Sequence, residues 1–126
     1  MRLSCALLLS VIAPLSAFAA DAPHSQCFPA TDFRNWHAAD AKTVYIRAAV
    51  ERIYRVDLGR DCPTLTWPDA HLILKTHGGS DICSPLDIDL RVGQGVGGGV
   101  PERCFVKSLT ELTPDEAAAL PKGMKP

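Results

Sequence analysis

The sequence predicts a mainly β domain: a small antiparallel sheet or barrel of about five to six strands with a short C-terminal α-helix, stapled by disulfides. Three observations lead there. Short β-branched and aromatic segments with alternating polarity recur between Gly- and Pro-rich breaks. Four cysteines, Cys27, Cys62, Cys83 and Cys104, are spread over most of the chain. The first nineteen residues read as an export leader, which sends the rest to an oxidising compartment.

Met1-Arg2 supplies a positive start, Ala6 to Ala13 an apolar run that Pro14 breaks, and Ala17-Phe18-Ala19 the small residues read by a signal peptidase. Cleavage is expected after Ala19, making residues 1–19 a signal peptide and 20–126 one small β-rich domain, ordered over about 27–121. The apolar run is far shorter than the ~20 residues that span a bilayer. Cys5 precedes the run and Cys27 lies well beyond it, so neither suits a lipid anchor, and a soluble mature protein in the periplasm or secreted is expected. Losing Cys5 with the leader leaves an even set of cysteines.

Along the domain, 32–36 (DFRNW) fits either a helical turn or a short strand. Thr43 to Ala48 alternates, with Val44, Ile46 and Ala48 on one face. Arg52 to Leu58 does the same with Tyr54, Val56 and Leu58, and the short link 49–51 predicts a hairpin, although it lacks Gly or Asn. Gly59 to Asp69 reads as a loop with two prolines, and His71 to His77 as a strand ended by Gly78-Gly79. A strand over 87–92 leads into Gly93 to Pro101, a stretch too glycine-rich to order itself unaided, and Arg103 to Leu109 is the last strand. Thr113-Pro114-Asp115-Glu116 carries a capping box with proline at the first helical position, and Pro121 bounds the helix. At about two turns this helix needs packing on the sheet. Residues 122–126 read as a frayed tail.

Four cysteines allow three pairings. The preferred one joins Cys27 to Cys104 and Cys62 to Cys83; the rival is sequential, Cys27 to Cys62 and Cys83 to Cys104. Gaps of 35, 21 and 21 residues do not suit structural zinc, whose ligands come in close pairs. A nucleophilic thiol is disfavoured where every cysteine has a possible partner.

The formal charge is −1, and −2 once Arg2 is removed with the leader. Lys and Arg are interspersed with Asp and Glu, which sets aside a nucleic-acid binder and an electrostatic membrane binder. Gly93, Gly95 and Gly98 match G-x-G-x-x-G, but no helix follows to meet a pyrophosphate. His71 and His77 share a strand face about 20 Å apart, too far for one ion. Asp87 and Asp89 share a face near Asp81 and read as a solvated strand edge rather than an acid–base pair or calcium site. Ser80 and Ser84 lie in no nucleophile elbow. Trp36, Trp67, Tyr45 and Tyr54 read as core residues before they read as a binding surface. No catalytic residue, metal ligand or cofactor site is expected.

Cys27-Phe28, Phe33, Trp36, Thr43-Val44-Tyr45-Ile46, the Tyr54, Val56, Leu58 strand, Asp61-Cys62-Pro63-Thr64-Leu65, Ile82-Cys83 and Cys104-Phe105-Val106-Lys107 follow one another in a set order. This order, over about Cys27 to Leu120, resembles a family of small exported bacterial proteins described only as a domain of unknown function. The resemblance implies a periplasmic home and one compact domain, and it brings no catalytic residues. The expectation is a non-catalytic module that binds a periplasmic protein or small ligand, or serves the cell envelope structurally. The alternatives are an inhibitor presenting a braced loop such as Arg60 to Trp67, and a small hydrolase using Asp81, Asp87, Asp89 or a histidine.

Overall fold

Residues 28–111 alternate between strands and tight turns in the computed structural model, which describes residues 27–126. The expected leader and its cleavage point lie outside the described residues. Nine strands form three antiparallel sheets among the described residues, and no sheet closes into a barrel. The strands are β1 (Phe28–Pro29), β2 (Phe33–Ala38), β3 (Thr43–Ala48), β4 (Arg52–Leu58), β5 (Ala70–Thr76), β6 (Asp81–Ile82), β7 (Ile88–Gln94), β8 (Gly98–Cys104) and β9 (Val106–Glu111), followed by helix α1 (Pro114–Ala119). One sheet has the order β2-β3-β4-β9, a second β5-β7-β8, and β1 pairs with β6 alone.

Strand period explains the core. Val44, Ile46 and Ala48 of β3 and Tyr54, Val56 and Leu58 of β4 point the same way, and all six are buried. They join Leu109, Leu90, Val92, Leu65, Phe28 and Ile82 in one apolar cluster. The predicted hairpin forms with Ala48 opposite Arg52. Its missing glycine has a visible consequence: Ala49 takes φ 54°, a left-handed conformation that costs a non-glycine residue about 1–2 kcal/mol. The Ala49 N–H donates to the Asp32 carbonyl at 2.8 Å, which helps to hold it there. Of the two options for 32–36, the strand is realised: residues 33–36 open β2, and a 3₁₀ turn over Ala30–Asp32 precedes it.

Residues 103–109 and 93–101 differ from the sequence-based expectation. The expected last strand, 103–109, is two strands that belong to different sheets, with Phe105 as the corner between them. The Phe105 carbonyl accepts from Gly59 N–H at 2.9 Å, which ties the corner to the end of β4. The glycine-rich 93–101 stretch, expected as a loop, is the tip of the β7–β8 hairpin. Ladder pairing supplies the order that glycine lacks alone, and φ of 48°, 84° and 62° at Gly95, Gly97 and Gly99 uses glycine's freedom. Gly93 meets a steric demand instead, because a Cβ there would enter the His71 ring across the ladder. Gly93→Ala should displace the exposed His71 ring at a cost of about 1 kcal/mol or less. His71→Ala should restore most of that loss in the double mutant, read by urea denaturation.

The capping box at α1 forms as expected: Glu116 N–H donates to Thr113 Oγ1 at 3.2 Å, and Thr113 N–H donates to Glu116 Oε2 at 2.8 Å. The expected frayed tail instead makes a 3₁₀ turn over Lys122–Met124, and Pro126 is buried.

The disulfides correct both pairings weighed from sequence. Cys27 joins Cys83 and Cys62 joins Cys104. Strand register is the reason. Phe28 lies opposite Ile82 in the β1–β6 ladder, so the residues just outside that ladder, Cys27 and Cys83, meet. Leu58 lies opposite Val106, which carries Cys62, four residues on, to the end of β8.

Candidate functional site

The outward face of the three-stranded sheet is set by parity. His71, Ile73 and Lys75 of β5, Asp89, Arg91 and Gly93 of β7, and Arg103 of β8 share it. Register places Ile73, Arg91 and Arg103 in one cross-strand row, so the two arginines stand directly opposite each other. Like charges so placed are destabilising unless something lies between them. Asp89 fills that role. Its Oδ2 accepts from Arg91 Nε at 3.1 Å and pairs with Arg91 Nη2 at 3.0 Å, and Arg103 Nε lies 3.2 Å from Oδ1. The Asp89 side chain is 9% exposed, whereas those of Arg91 and Arg103 are 37% and 50% exposed. One sunken carboxylate thus holds Arg91 by a hydrogen bond through Oδ2 and attracts Arg103 by charge alone, since its Oδ1 has no hydrogen-bond partner.

The cationic character extends past the row. Lys75 faces Asp89 across the ladder and is exposed. The Arg60 and Arg103 guanidinium carbons lie 4.6 and 5.3 Å from the ring centre of Phe105, which is 47% exposed. Lys75, Arg91 and Arg103 thus surround Asp89, and Arg60 joins Arg103 at the Phe105 ring. With three cations to one carboxylate, this face carries net positive charge on a chain whose net charge is −1.

The Arg91 hydrogen bond, opposed by burial and helped by the charges of Arg91, Arg103 and His77, holds the Asp89 carboxyl below its usual range. A depressed carboxylate pKa stabilises the fold above the unfolded value of about 3.9 and loses that contribution as pH falls through the folded value. Asp89→Asn should cost about 1–3 kcal/mol at neutral pH, as expected for hydrogen bonds to charged groups. The loss should shrink below about pH 4, where the wild type sheds the same contribution; thermal midpoints at several pH values measure it.

Of the other candidates, Asp87 does not share a strand with Asp89. It ends a 3₁₀ turn over Pro85–Asp87, where its Oδ2 accepts from Cys83 N–H at 3.0 Å and from Ser84 N–H at 2.8 Å. These bonds, with that from the Ser84 hydroxyl, lower its pKa. Asp89 is buried in a central strand, so the solvated-edge expectation for this pair is overturned; the flanking arginines make its burial tolerable. Asp81 is exposed in β6, and His71 and His77 are exposed at opposite ends of β5. Among the described residues, no three His, Cys, Asp or Glu side chains are grouped as a metal site. Ser84 serves as the other half of the Asp87 capping box.

Tyr54 is core, as expected, and Trp36 packs against the core, but Trp67 is 49% exposed. Tyr45 lies on the outer face of the four-stranded sheet. There it lines an open recess of about 310 Å³ with Arg55, Leu112, Glu116, Ala119 and Leu120. A second open recess, of about 380 Å³, lies along the glycine hairpin beside His71. The Gly93-Gly95-Gly98 motif is in this hairpin and no helix follows it, so it cradles no dinucleotide.

Sequence reasoning missed the arginine row because the four cations are scattered over 60–103. The signal present was Asp89-Leu90-Arg91, an acid and a base two apart on a strand, but only the pairing of β7 with β8 brings Arg103 to it.

No helix among the described residues is long and apolar enough to cross a membrane. No curated protein and no solved structure matches the chain. A family model described as "Family of unknown function" matches residues 1–125. The cysteine framework and mainly β fold agree with the resemblance drawn from the sequence, and the chain belongs to that family, DUF6491.

Proposed function

We propose that this protein is an exported, non-catalytic binding module of the cell envelope, docking an anionic partner through the Lys75, Arg91 and Arg103 face. The observation that carries this reading is the cross-strand arginine pair gathered at Asp89. A guanidinium held in place loses little freedom on meeting a carboxylate or phosphate, and its fork suits both. Export is supported by the leader-like first nineteen residues, and two disulfides are compatible with it.

The inhibitor alternative asks for a presented loop between Arg60 and Trp67. Thr64 and Leu65 in that loop are 6% and 3% exposed, and the Thr64 hydroxyl bonds Glu102, so its centre is folded inward. The hydrolase alternative asks for acids free to react. Asp87 and Asp89 are committed to a capping box and an ion-pair cluster.

The test is retention of the disulfide-intact protein on a polyanionic matrix under a salt gradient. Retention at low salt that weakens markedly in Lys75→Gln and Arg60→Gln, with thermal midpoints near wild type, is the expected result. Passage without retention at low salt would remove the reading.

A further inference from the structure

We infer that the anionic partner is a membrane surface bearing phosphate headgroups, and that the β7–β8 hairpin tip enters that surface beside the cationic face. The inference rests on the docking reading above and names its partner.

Two independent features meet in the same pair of strands. The first is the charge already described. The second is the tip: Val92 to Pro101 contains no charged residue, and its side chains are few because Gly93, Gly95, Gly97, Gly98 and Gly99 fill half of it. What the tip does present is aliphatic. Val96 is fully exposed and Val100 is 91% exposed, and neither has a core neighbour to explain its apolarity. Exposed aliphatic residues beside a basic surface suit an interface with an apolar interior and an anionic rim.

The geometry agrees with that layering. Val96 follows Arg91 by five residues, roughly 15 Å along the hairpin at strand rise. Because one headgroup layer is only about 5–7 Å thick, the hairpin lies strongly tilted from the membrane normal, with Val96 at the headgroup–acyl boundary and Arg91 and Arg103 turned to the phosphates. The base of the tip is fixed: Gly95 N–H donates to the Asp69 carbonyl at 3.1 Å, and the His71 ring closes over Gly93. A tip held at its base requires little ordering on contact.

An acidic peptide is the competing partner, and the structure suits it less well. The charged side chains stand on a sheet face rather than in a side-chain groove. Pro101, without an N–H, interrupts the β8 edge that an added strand would need.

The test uses the disulfide-intact protein and co-sedimentation with vesicles of phosphatidylcholine containing about one third phosphatidylglycerol. Wild type should partition to these vesicles at low salt, be released by high salt and ignore pure phosphatidylcholine. Lys75→Gln should lower partitioning about five-fold, as each surface cation contributes about that factor. Val96→Ser/Val100→Ser should lower it about ten-fold or more while leaving retention on the polyanionic matrix unchanged. Matrix retention without vesicle binding would overturn the membrane inference and leave the docking reading standing; binding to neither would overturn both. Equal binding of polyglutamate, with no effect of the valine substitutions on vesicle partitioning, would assign the face to an acidic protein and overturn the inference.

Discussion

Mild reduction of the native protein is expected to open Cys27–Cys83 well before Cys62–Cys104. Cys83 is exposed and Cys27 half-buried, whereas Cys62 and Cys104 are 1% and 4% exposed inside the core. A thiolate must reach a sulfur to exchange with it, so access sets the order. The two bridges close loops of similar size, with separations of 56 and 42 residues. The chain-entropy model accordingly assigns each about 4 kcal/mol. The buried pair also packs, so Cys62→Ala/Cys104→Ala should cost roughly 5 kcal/mol in total. Since a small domain has a net stability of only about 5–15 kcal/mol, that variant should be largely unfolded or nearly so at 37 °C. Timed alkylation with peptide mass analysis reads the order, and urea denaturation reads the cost. Simultaneous loss of both bridges, or earlier loss of Cys62–Cys104, would contradict the burial argument.

A second large effect is expected where β4 meets β9. Arg52 donates to both Glu111 oxygens, Nε to Oε1 and Nη2 to Oε2, each at 2.8 Å, and its Nη1 donates to the Cys27 carbonyl at 3.1 Å. The same guanidinium lies 5.3 Å from the Tyr54 ring centre, and the Tyr54 and Phe28 rings are 4.5 Å apart. One side chain therefore links β4 and the edge strand β9, the disulfide-bearing N-terminal segment and the aromatic core. The Arg52 and Glu111 side chains are 36% and 18% exposed, so the full cost of breaking a buried pair, about 3–5 kcal/mol, is discounted for solvent. Arg52→Ala should lose about 2–3 kcal/mol and Glu111→Gln less, because the amide retains one acceptor. Burial, with the nearby Glu111 charge, raises the Tyr54 pKa to about 12. A raised tyrosine pKa contributes stability that is complete below the unfolded value of about 10 and disappears as pH rises toward 12. Alkaline unfolding that is insensitive to Tyr54→Phe would speak against this arrangement.

Local pattern made much of the fold legible. Residues 43–48 and 52–58 alternate strictly because one side of each strand faces a core, and Thr113 to Glu116 announces a helix start in four residues. What escaped depends on pairing between distant strands. Nothing between 103 and 109 marks Phe105 as a corner, because β-rich residues continue on both sides while the ladder partner changes from β7 to β4. The glycine run could not be recognised as strand, since its order comes from the β7 partner rather than from its own propensity.

The cationic face escaped for the same reason. Lys and Arg interspersed with Asp and Glu along the chain suggested an even surface, yet strand parity sends Lys75, Arg91 and Arg103 to one side. Glu102 and Asp87 are sent elsewhere, to Thr64 and to the Ser84 capping box. Charge mixing in sequence is therefore a poor guide to charge mixing in space on a β fold. Disulfide pairing belongs with these non-local features, because Cys27 finds Cys83 only through the β1–β6 ladder.

The whole arrangement depends on this strand register, and the sulfur bridges are its covalent record. Proteolysis of the unreduced protein followed by mass mapping of linked peptides tests it most directly. Cys27 should be found joined to Cys83 and Cys62 to Cys104. Recovery of Cys27 linked to Cys104, or of Cys27 linked to Cys62, would mean a different register, and the arginine row would fall with it.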